Sequence, residues 1–228
     1  MSSPETSASL RISEIFYSLQ GETSRVGLPT IFVRLTGCPL RCRYCDSAYA
    51  FTGGKNMTLH AIVEQVHQYP TRYVTVTGGE PLAQKNCLPL LKGLCDDGYL
   101  VSLETSGALD VSSVDVRVMK ILDIKTPDSG EESKNLWSNL SHLTAQDEVK
   151  FVLCSEADYN WAKQVIKQHA LNDKCAVLLS PVQGDVLLSP TQGVLSPADL
   201  ADWILRDHLP VRMQMQLHKI LWGAVEGR

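Results

Sequence analysis

The chain has 228 residues, a formal net charge of −4 and a hydrophobic fraction of 44%, an ordinary composition for a globular domain. The acidic balance argues against binding to a phosphate backbone, and no apolar run reaches the length of a membrane-spanning helix, so we expect neither a nucleic-acid nor a membrane partner. Residues 1–10 are polar and lack the features of a signal peptide, which predicts a flexible N-terminus before a single domain over residues 11–228. An odd count of seven cysteines without a secretion signal fits the cytoplasm.

Short β-rich runs alternate with helix-like patterns along the chain. Strands are expected at residues 12–15, 29–35, 73–77, 100–104, 118–124, 149–153, 176–180 and 211–216. Helices are expected from Thr58 to the stop at Pro70 and at residues 88–94, 155–170 and 197–208, and residues 129–143 are expected to form a loop with a short helix. This alternation predicts an α/β fold with a mostly parallel sheet, closed or partly closed as a (β/α) barrel.

Three cysteines, Cys38, Cys42 and Cys45, follow the second strand with the spacing C-x3-C-x2-C. A structural zinc site normally takes four ligands in two pairs, and no second pair follows here. A 4Fe-4S cluster needs one ligand for each iron, so three cysteines leave one iron open to another ligand. The spacing therefore favours an iron–sulfur cluster. A zinc site with a remote fourth ligand and a chance grouping of cysteines are the alternatives.

Polar motifs follow the ends of the predicted strands. In a (β/α) barrel these ends face a common mouth, so motifs that are distant in sequence become neighbours. Taken singly they are ambiguous: a Gly-Gly pair is also a tight turn, and a lone lysine or histidine is usually solvated or packed. The motifs are the cysteine loop, Thr77-Gly78-Gly79-Glu80, Glu104-Thr105-Ser106, Asp123-Ile124-Lys125, Ser180-Pro181-Val182-Gln183 and Gln216-Leu217-His218-Lys219.

Three further features place polar groups where a ligand could bind. Arg34 places a charge inside an apolar strand, where it must pair with an anion or reach the edge of the sheet. Gln20 and Glu22 flank Gly21, which suits close approach to a ligand, but the spacing alone favours a solvated turn. The oxygen ligands of Asp46-Ser47, directly after the last cysteine, suit Mg²⁺.

The cysteine run, the Gly78-Gly79-Glu80 motif and the barrel pattern together resemble the radical S-adenosylmethionine (SAM) superfamily. Ser18-Leu19-Gln20-Gly21-Glu22, the Cys45-Asp46-Ser47 step and Gln216-Leu217-His218-Lys219 narrow the resemblance to the family of 7-carboxy-7-deazaguanine synthases. Two departures stand out. Thr23 occupies a position where that family often has a second glycine, and residues 220–228 extend past the point where some relatives end.

The resemblance implies a partial (β/α) barrel of the radical SAM type, a homodimer and an electron donor such as flavodoxin. It implies a ring-contracting lyase that converts 6-carboxy-5,6,7,8-tetrahydropterin to 7-carboxy-7-deazaguanine with loss of ammonia, on the route to queuosine. No side chain is expected to be catalytic, because the radical forms on SAM. The implied sites are Cys38, Cys42 and Cys45 for a 4Fe-4S cluster; Ser47 for Mg²⁺; Tyr44, Asp46, Gly79, Glu80, Glu104, Ser106, Asp123, Lys125, Ser180 and Gln183 for SAM; and Leu19, Gln20, Gly21, Glu22, Arg34, Thr77 and His218 for the pterin.

Two other functions fit part of the sequence. A glycyl-radical activating enzyme shares the cysteine spacing and the small size, but it acts on a large protein and leaves Gln20, Glu22 and Arg34 unexplained. A zinc-stabilised α/β binding module would be colourless and hold no iron. The convergence of polar motifs at strand ends favours the small-molecule enzyme.

Overall fold

A computed structural model describes residues 8–183 and 195–223, together with residues 225 and 227. The strands of this part are β1 (Ser9–Leu19), β2 (Pro29–Leu35), β3 (Lys55–Thr58), β4 (Tyr73–Gly78), β5 (Leu100–Thr105), β6 (Met119–Asp123), β7 (Glu148–Leu153), β8 (Ala176–Pro181) and β9 (Arg212–Met213). They form one sheet in the order β3-β1-β2-β4-β5-β6-β7-β8-β9.

The sheet is mostly parallel. β1 runs antiparallel to both β2 and β3, whereas every neighbouring pair from β2 to β9 is parallel. Because β3 and β9 form two separate edges, the sheet is an open, partial barrel. The predicted α/β fold with a mostly parallel sheet is confirmed.

Five α-helices accompany the described strands: α1 (Leu59–Val66), α2 (Cys87–Asp96), α3 (Glu156–Gln168), α4 (Pro197–Arg206) and α5 (Leu217–Trp222). The first begins as predicted, since the Thr58 hydroxyl accepts a hydrogen bond from the Ala61 amide at 3.2 Å. Ser155 caps α3 in the same way, and Ser196 precedes Pro197 at the start of α4. No helix within the described ranges is long and apolar enough to cross a membrane.

Several predicted boundaries were wrong. β1 continues to Leu19 and already includes Ser9 and Leu10, so these two residues are not part of a flexible N-terminus; residues 1–7 lie outside the described part. β3 was not predicted. The strand predicted over 211–216 shrinks to two residues, and His218 lies in α5. The connections from β5 to β6 and from β6 to β7 contain no α-helix, only turns and short 3-10 segments.

The two faces of the strands have different tasks. In β2, Ile31 and Val33 belong to the hydrophobic core, whereas Phe32 and Arg34 line a pocket. In β7, Phe151 packs in the core while Lys150 and Val152 face the same pocket. Because side chains alternate across a strand, the sheet holds helices on one face and polar pocket residues on the other.

Candidate active site

A pocket of about 840 Å³ lies at the carboxyl ends of the parallel strands. Every residue that the sequence singled out for a cluster, cofactor, metal or substrate lines this pocket, except Glu80 and Ser180. The convergence expected for a (β/α) barrel is therefore present, although the barrel is open.

The cysteine loop forms one wall. Cys38, Cys42 and Cys45 are all free thiols and partly buried, and the Leu40 amide donates to the Cys38 sulfur at 3.4 Å. Burial raises the pKa of the Cys42 thiol to about 11, so binding of a metal must displace its proton. Among the described side chains, no three His, Cys, Asp or Glu groups converge at metal-binding distance. The donor set itself, three thiols in one pocket wall, suits an iron–sulfur cluster.

The glycine pair Gly78-Gly79 packs against the end of β2 and the start of the cysteine loop. A Cβ on Gly78 would stand 2.3 Å from the Leu35 carbonyl oxygen, and one on Gly79 would stand 2.3 Å from the Gly37 carbonyl oxygen and 2.8 Å from Cys38 Cβ. The Glu80 amide also donates to the Gly37 carbonyl at 2.8 Å. A side chain at Gly78 would push against the end of β2 and one at Gly79 against the start of the cysteine loop, so close packing requires glycine at both positions.

The Glu80 side chain holds the neighbouring loop after β5. It is fully buried, and its carboxylate accepts hydrogen bonds from the Leu82 amide, the Thr105 hydroxyl and the Ser106 amide. These bonds fix the loop after β5, and the carboxylate does not line the pocket. The predicted contact of Glu80 with SAM stays a prediction, and the hydrogen bonds show that the carboxylate also supports the loop behind Ser106.

Ser180 is likewise buried outside the pocket lining, and its hydroxyl has no hydrogen-bond partner among the described groups. Gln183, two residues beyond the end of β8, does line the pocket. Its side-chain oxygen accepts a hydrogen bond from the main-chain amide of Gln216 at 2.9 Å.

A pair of one acidic and one basic residue lies at the carboxyl end of β6. Asp123 Oδ2 accepts from the Lys125 ammonium at 2.9 Å, while Asp123 Oδ1 is buried without a partner among the described residues. Burial lowers the pKa of Lys125, but the charge of Asp123 and nearby groups more than offsets this, so the net pKa is raised and the lysine stays charged. The Tyr44 hydroxyl donates to the Val152 carbonyl at 3.3 Å. The unpartnered carboxylate oxygen suits a ligand hydroxyl group in this part of the pocket.

The Gln-Gly-Glu turn after β1 forms the opposite wall. Gln20 donates to Glu104 Oε1 at 3.3 Å, and Thr77 donates to Glu104 Oε2 at 2.9 Å. Glu104, predicted beside SAM, is thus joined to two residues predicted for the substrate. Burial raises the pKa of this carboxyl group.

Glu22 forms an ion pair with Lys150 of β7 and accepts from the Gln216 side chain at 2.7 Å. Burial alone would raise the pKa of Glu22, but Lys150 and Gln216 more than compensate and the pKa falls. The carboxylate is therefore held ionised at the pocket wall.

Gly21 and Thr23 show how this turn is shaped. A Cβ on Gly21 would stand 2.2 Å from His218 Nδ1, so the ring packs directly on the glycine. Thr23 has φ 69°, a conformation that glycine adopts easily and a β-branched residue rarely does. The Gln214 side chain holds it by accepting from the Thr23 amide at 2.8 Å and donating to its carbonyl at 2.7 Å.

Arg34 lines the pocket and pairs with Glu14 of the neighbouring β1, with an Nε to Oε1 distance of 2.7 Å. The Tyr49 hydroxyl donates to the same carboxylate oxygen at 2.7 Å. The anion expected for a charge inside an apolar strand is thus supplied in part by the chain itself. On the other side of the cysteine loop, Ser47 lines the pocket and donates to Asp46 Oδ1 at 3.1 Å.

Sequence reasoning missed several residues of this site. Lys150 interrupts the apolar run Val149–Phe151 in the same manner as Arg34 interrupts β2, so its signal was present in the sequence. Three of the others gave no pattern, because they act through long-range side-chain contacts: Glu14, Tyr49 and Gln214. Gln216 and Lys219 belong to the polar motif singled out at residues 216–219, but the sequence predicted no individual role for either of them.

Comparison with known proteins gives concordant matches. The family model of the Radical SAM superfamily matches residues 32–167. A 7-carboxy-7-deazaguanine synthase of Chlorobaculum tepidum is 48% identical over 221 residues, which is 96% of this chain and 96% of the relative. A synthase of the same name from Koribacter versatilis is 42% identical, over 93% of this chain and 97% of the relative.

Solved structures match the fold as well. The crystal structure of QueE from Escherichia coli superposes with a TM-score of 0.74 at 22% identity, covering 96% of this chain and 100% of that chain. Streptococcus suis SuiB bound to S-adenosylmethionine gives a TM-score of 0.56 at 15% identity, covering 79% of this chain and 48% of that chain. At these identities the likeness concerns the architecture alone.

Proposed function

Because the chain belongs to the 7-carboxy-7-deazaguanine synthase family of the radical SAM superfamily, we propose that it converts 6-carboxy-5,6,7,8-tetrahydropterin to 7-carboxy-7-deazaguanine, with loss of ammonia, in queuosine biosynthesis. The observation that carries the proposal is the shared pocket of the three cysteines and the Gln20–Glu22 turn. Relatives of nearly the same length are named as synthases, which favours this activity over that of a glycyl-radical activating enzyme.

As a radical SAM enzyme, the chain uses a 4Fe-4S cluster and SAM, and these supply a 5′-deoxyadenosyl radical when they are bound. Cys38, Cys42 and Cys45 would hold the cluster. Tyr44, Asp46, Gly79, Ser106, Asp123, Lys125 and Gln183 line the adjoining pocket and would hold SAM. The unpartnered Asp123 oxygen and the glycine packing beneath the cysteine loop support this assignment.

The substrate would lie against the opposite wall. Glu22, kept ionised by Lys150, would accept two N–H groups of an aminopyrimidinone ring, and Gln20 with Glu104 would supply further polar partners. Arg34 would bind the substrate carboxylate in place of part of its contact with Glu14. The protein's task is to fix one C–H bond and exclude water, since a primary carbon radical attacks neighbouring groups unselectively.

Four further assignments belong to the proposal. Mg²⁺ would bind beside Ser47, whose hydroxyl lines the pocket next to Asp46. A homodimer and a flavodoxin-type electron donor are proposed from the family resemblance. The cytoplasm is proposed as the compartment, because all seven cysteines are free thiols.

The test is anaerobic reconstitution with iron and sulfide, followed by dithionite, SAM, Mg²⁺ and 6-carboxytetrahydropterin. Wild-type protein is expected to form 7-carboxy-7-deazaguanine, detected by mass and ultraviolet absorbance. Cys42→Ala should lose iron and product, whereas Cys95→Ala, a half-buried cysteine of α2, should keep both. Formation of 5′-deoxyadenosine from SAM without the deazaguanine would refute the proposed substrate and leave the superfamily assignment intact.

A further inference from the structure

The C-terminal segment of residues 214–219 crosses the pocket mouth and contacts loops from three strand ends. Gln216 is the centre of these contacts. Its side-chain nitrogen, Nε2, donates to Glu22 Oε1 at 2.7 Å and to Asp46 Oδ2 at 3.0 Å. Its main-chain amide donates to Gln183 Oε1 at 2.9 Å. A primary amide carries two N–H hydrogens, so this single group can serve both carboxylates at once.

The two carboxylates belong to different ends of the pocket. Glu22 ends the Gln-Gly-Glu turn, which would bind the substrate, and Asp46 directly follows Cys45 in the loop that would hold the cluster and SAM. Each carboxylate has its own cation, since Lys150 pairs with Glu22 and Lys219 lies 3.1 Å from Asp46. Both are thus ionised acceptors, and the amide between them links two loops that are 24 residues apart in sequence.

We propose that Gln216 is a positioning residue that couples the two ends of the pocket, so that SAM and the pterin substrate strengthen each other's binding. The inference rests on the proposed function for the identity of the two ligands. A ligand that orders one loop fixes the amide, and the fixed amide lowers the conformational cost of ordering the other loop. By linkage the effect is reciprocal, and coupling of this kind typically amounts to about 5–150-fold in affinity.

The neighbouring Gln214 offers a matched control. It is also a glutamine of the C-terminal segment, and it holds the same turn through two hydrogen bonds to the Thr23 backbone. Its hydrogen bonds do not involve Asp46 or any other residue of the cysteine loop described here. Loss of the Gln214 side chain therefore loosens the Gln-Gly-Glu turn and leaves the hydrogen bonds of Gln216 to Glu22 and Asp46 in place.

The first experiment measures the affinity of the reconstituted holoenzyme for 6-carboxytetrahydropterin with and without SAM, under anaerobic conditions and without reductant, so that SAM is not consumed. In wild type, SAM is expected to tighten pterin binding about fivefold or more. In Gln216→Leu this ratio should fall to about one. In Gln214→Leu the affinity for the pterin should weaken both with and without SAM, and the ratio of the two affinities should stay as in wild type. If Gln216 had a merely structural role, Gln216→Leu would behave like Gln214→Leu.

A second measurement follows hydrogen exchange of residues 19–24 after addition of SAM alone. SAM should slow exchange in this turn in wild type and in Gln214→Leu, and leave it unchanged in Gln216→Leu. An unchanged affinity ratio in Gln216→Leu, or SAM-induced protection that survives this substitution, overturns the coupling. Failure of wild type to bind the pterin would instead count against the proposed function. The hydrogen-exchange experiment needs only SAM, so it would still test the coupling through Gln216.

Discussion

Replacement of Gly21 by alanine tests the contact on which the substrate wall is built. The new Cβ would stand 2.2 Å from His218 Nδ1, and 3.1 and 3.2 Å from two ring carbons. Gly21 is not among the glycines with positive φ, so its backbone accepts alanine and the whole cost arises from the ring. Ordinary contact begins at 3.4 Å, so the ring must retreat by about 1 Å.

Overpacking of this kind costs about 1–3 kcal/mol, and an error of about 1 Å in the position of a substrate-binding group lowers the rate about 100-fold. We therefore expect Gly21→Ala to lose stability within that range and to lose most of kcat/KM. The assay is a double-mutant cycle with His218→Ala, measured by urea unfolding and by product formation. Removing the ring makes room for the methyl group.

The double variant should consequently be no less stable than His218→Ala alone, which gives an interaction energy about as large as the cost of Gly21→Ala. Activity should not return, because the histidine is missing. Stability effects that add independently would refute the packing argument, since they would mean that the alanine methyl and the imidazole ring do not meet.

Further predictions concern the same pocket walls and are read from denaturant unfolding. Gly79→Ala should cost about 1–3 kcal/mol and lower the iron content, because its Cβ would meet a backbone carbonyl of the cysteine loop at 2.3 Å; Gly93→Ala in α2, with open space around it, should gain about 0.5–1 kcal/mol. Lys150→Met should cost about 3–5 kcal/mol by leaving the Glu22 carboxylate buried without its cation, and adding Glu22→Gln should recover most of this loss. Burial lowers the pKa of His218, so the stability it contributes is present above its unfolded pKa of about 6.5 and is lost as the pH falls. The stability advantage of wild type over His218→Gln should therefore shrink between about pH 7.5 and 5.5; a constant difference would contradict a half-buried ring with a lowered pKa.

Much of this site could be predicted because the motifs carry local information. The order of strands and the polar residues after them place the cysteine loop, Asp123 and Lys125 at one mouth, whatever the details of packing. Arg34 could be predicted as a site residue because it is a charged residue inside an apolar strand. The same reasoning applied to Lys150 would have found the cation of Glu22.

The direction of a side chain at a strand end could not be predicted in the same way. Glu80 follows β4 as Asp123 ends β6, and both are carboxylates at the sheet edge. Glu80 turns away from the pocket because the hydroxyls of Thr105 and Ser106, from the next strand, capture it. Which carboxylate meets such a partner depends on three-dimensional proximity that no spacing records.

The C-terminal segment of residues 214–219 is attached to the fold mainly by side-chain hydrogen bonds. β9 is only two residues long and pairs with Leu178 and Leu179, so few main-chain bonds attach this segment to the sheet. Side-chain amides hold the segment in place instead. Gln214 makes two hydrogen bonds to the Thr23 backbone, each contributing about 0.5–1.5 kcal/mol to stability. A left-handed conformation costs an L-residue about 1–2 kcal/mol, which these bonds are large enough to offset. Thr23 can therefore keep a backbone conformation that favours glycine, because Gln214 holds its amide and its carbonyl.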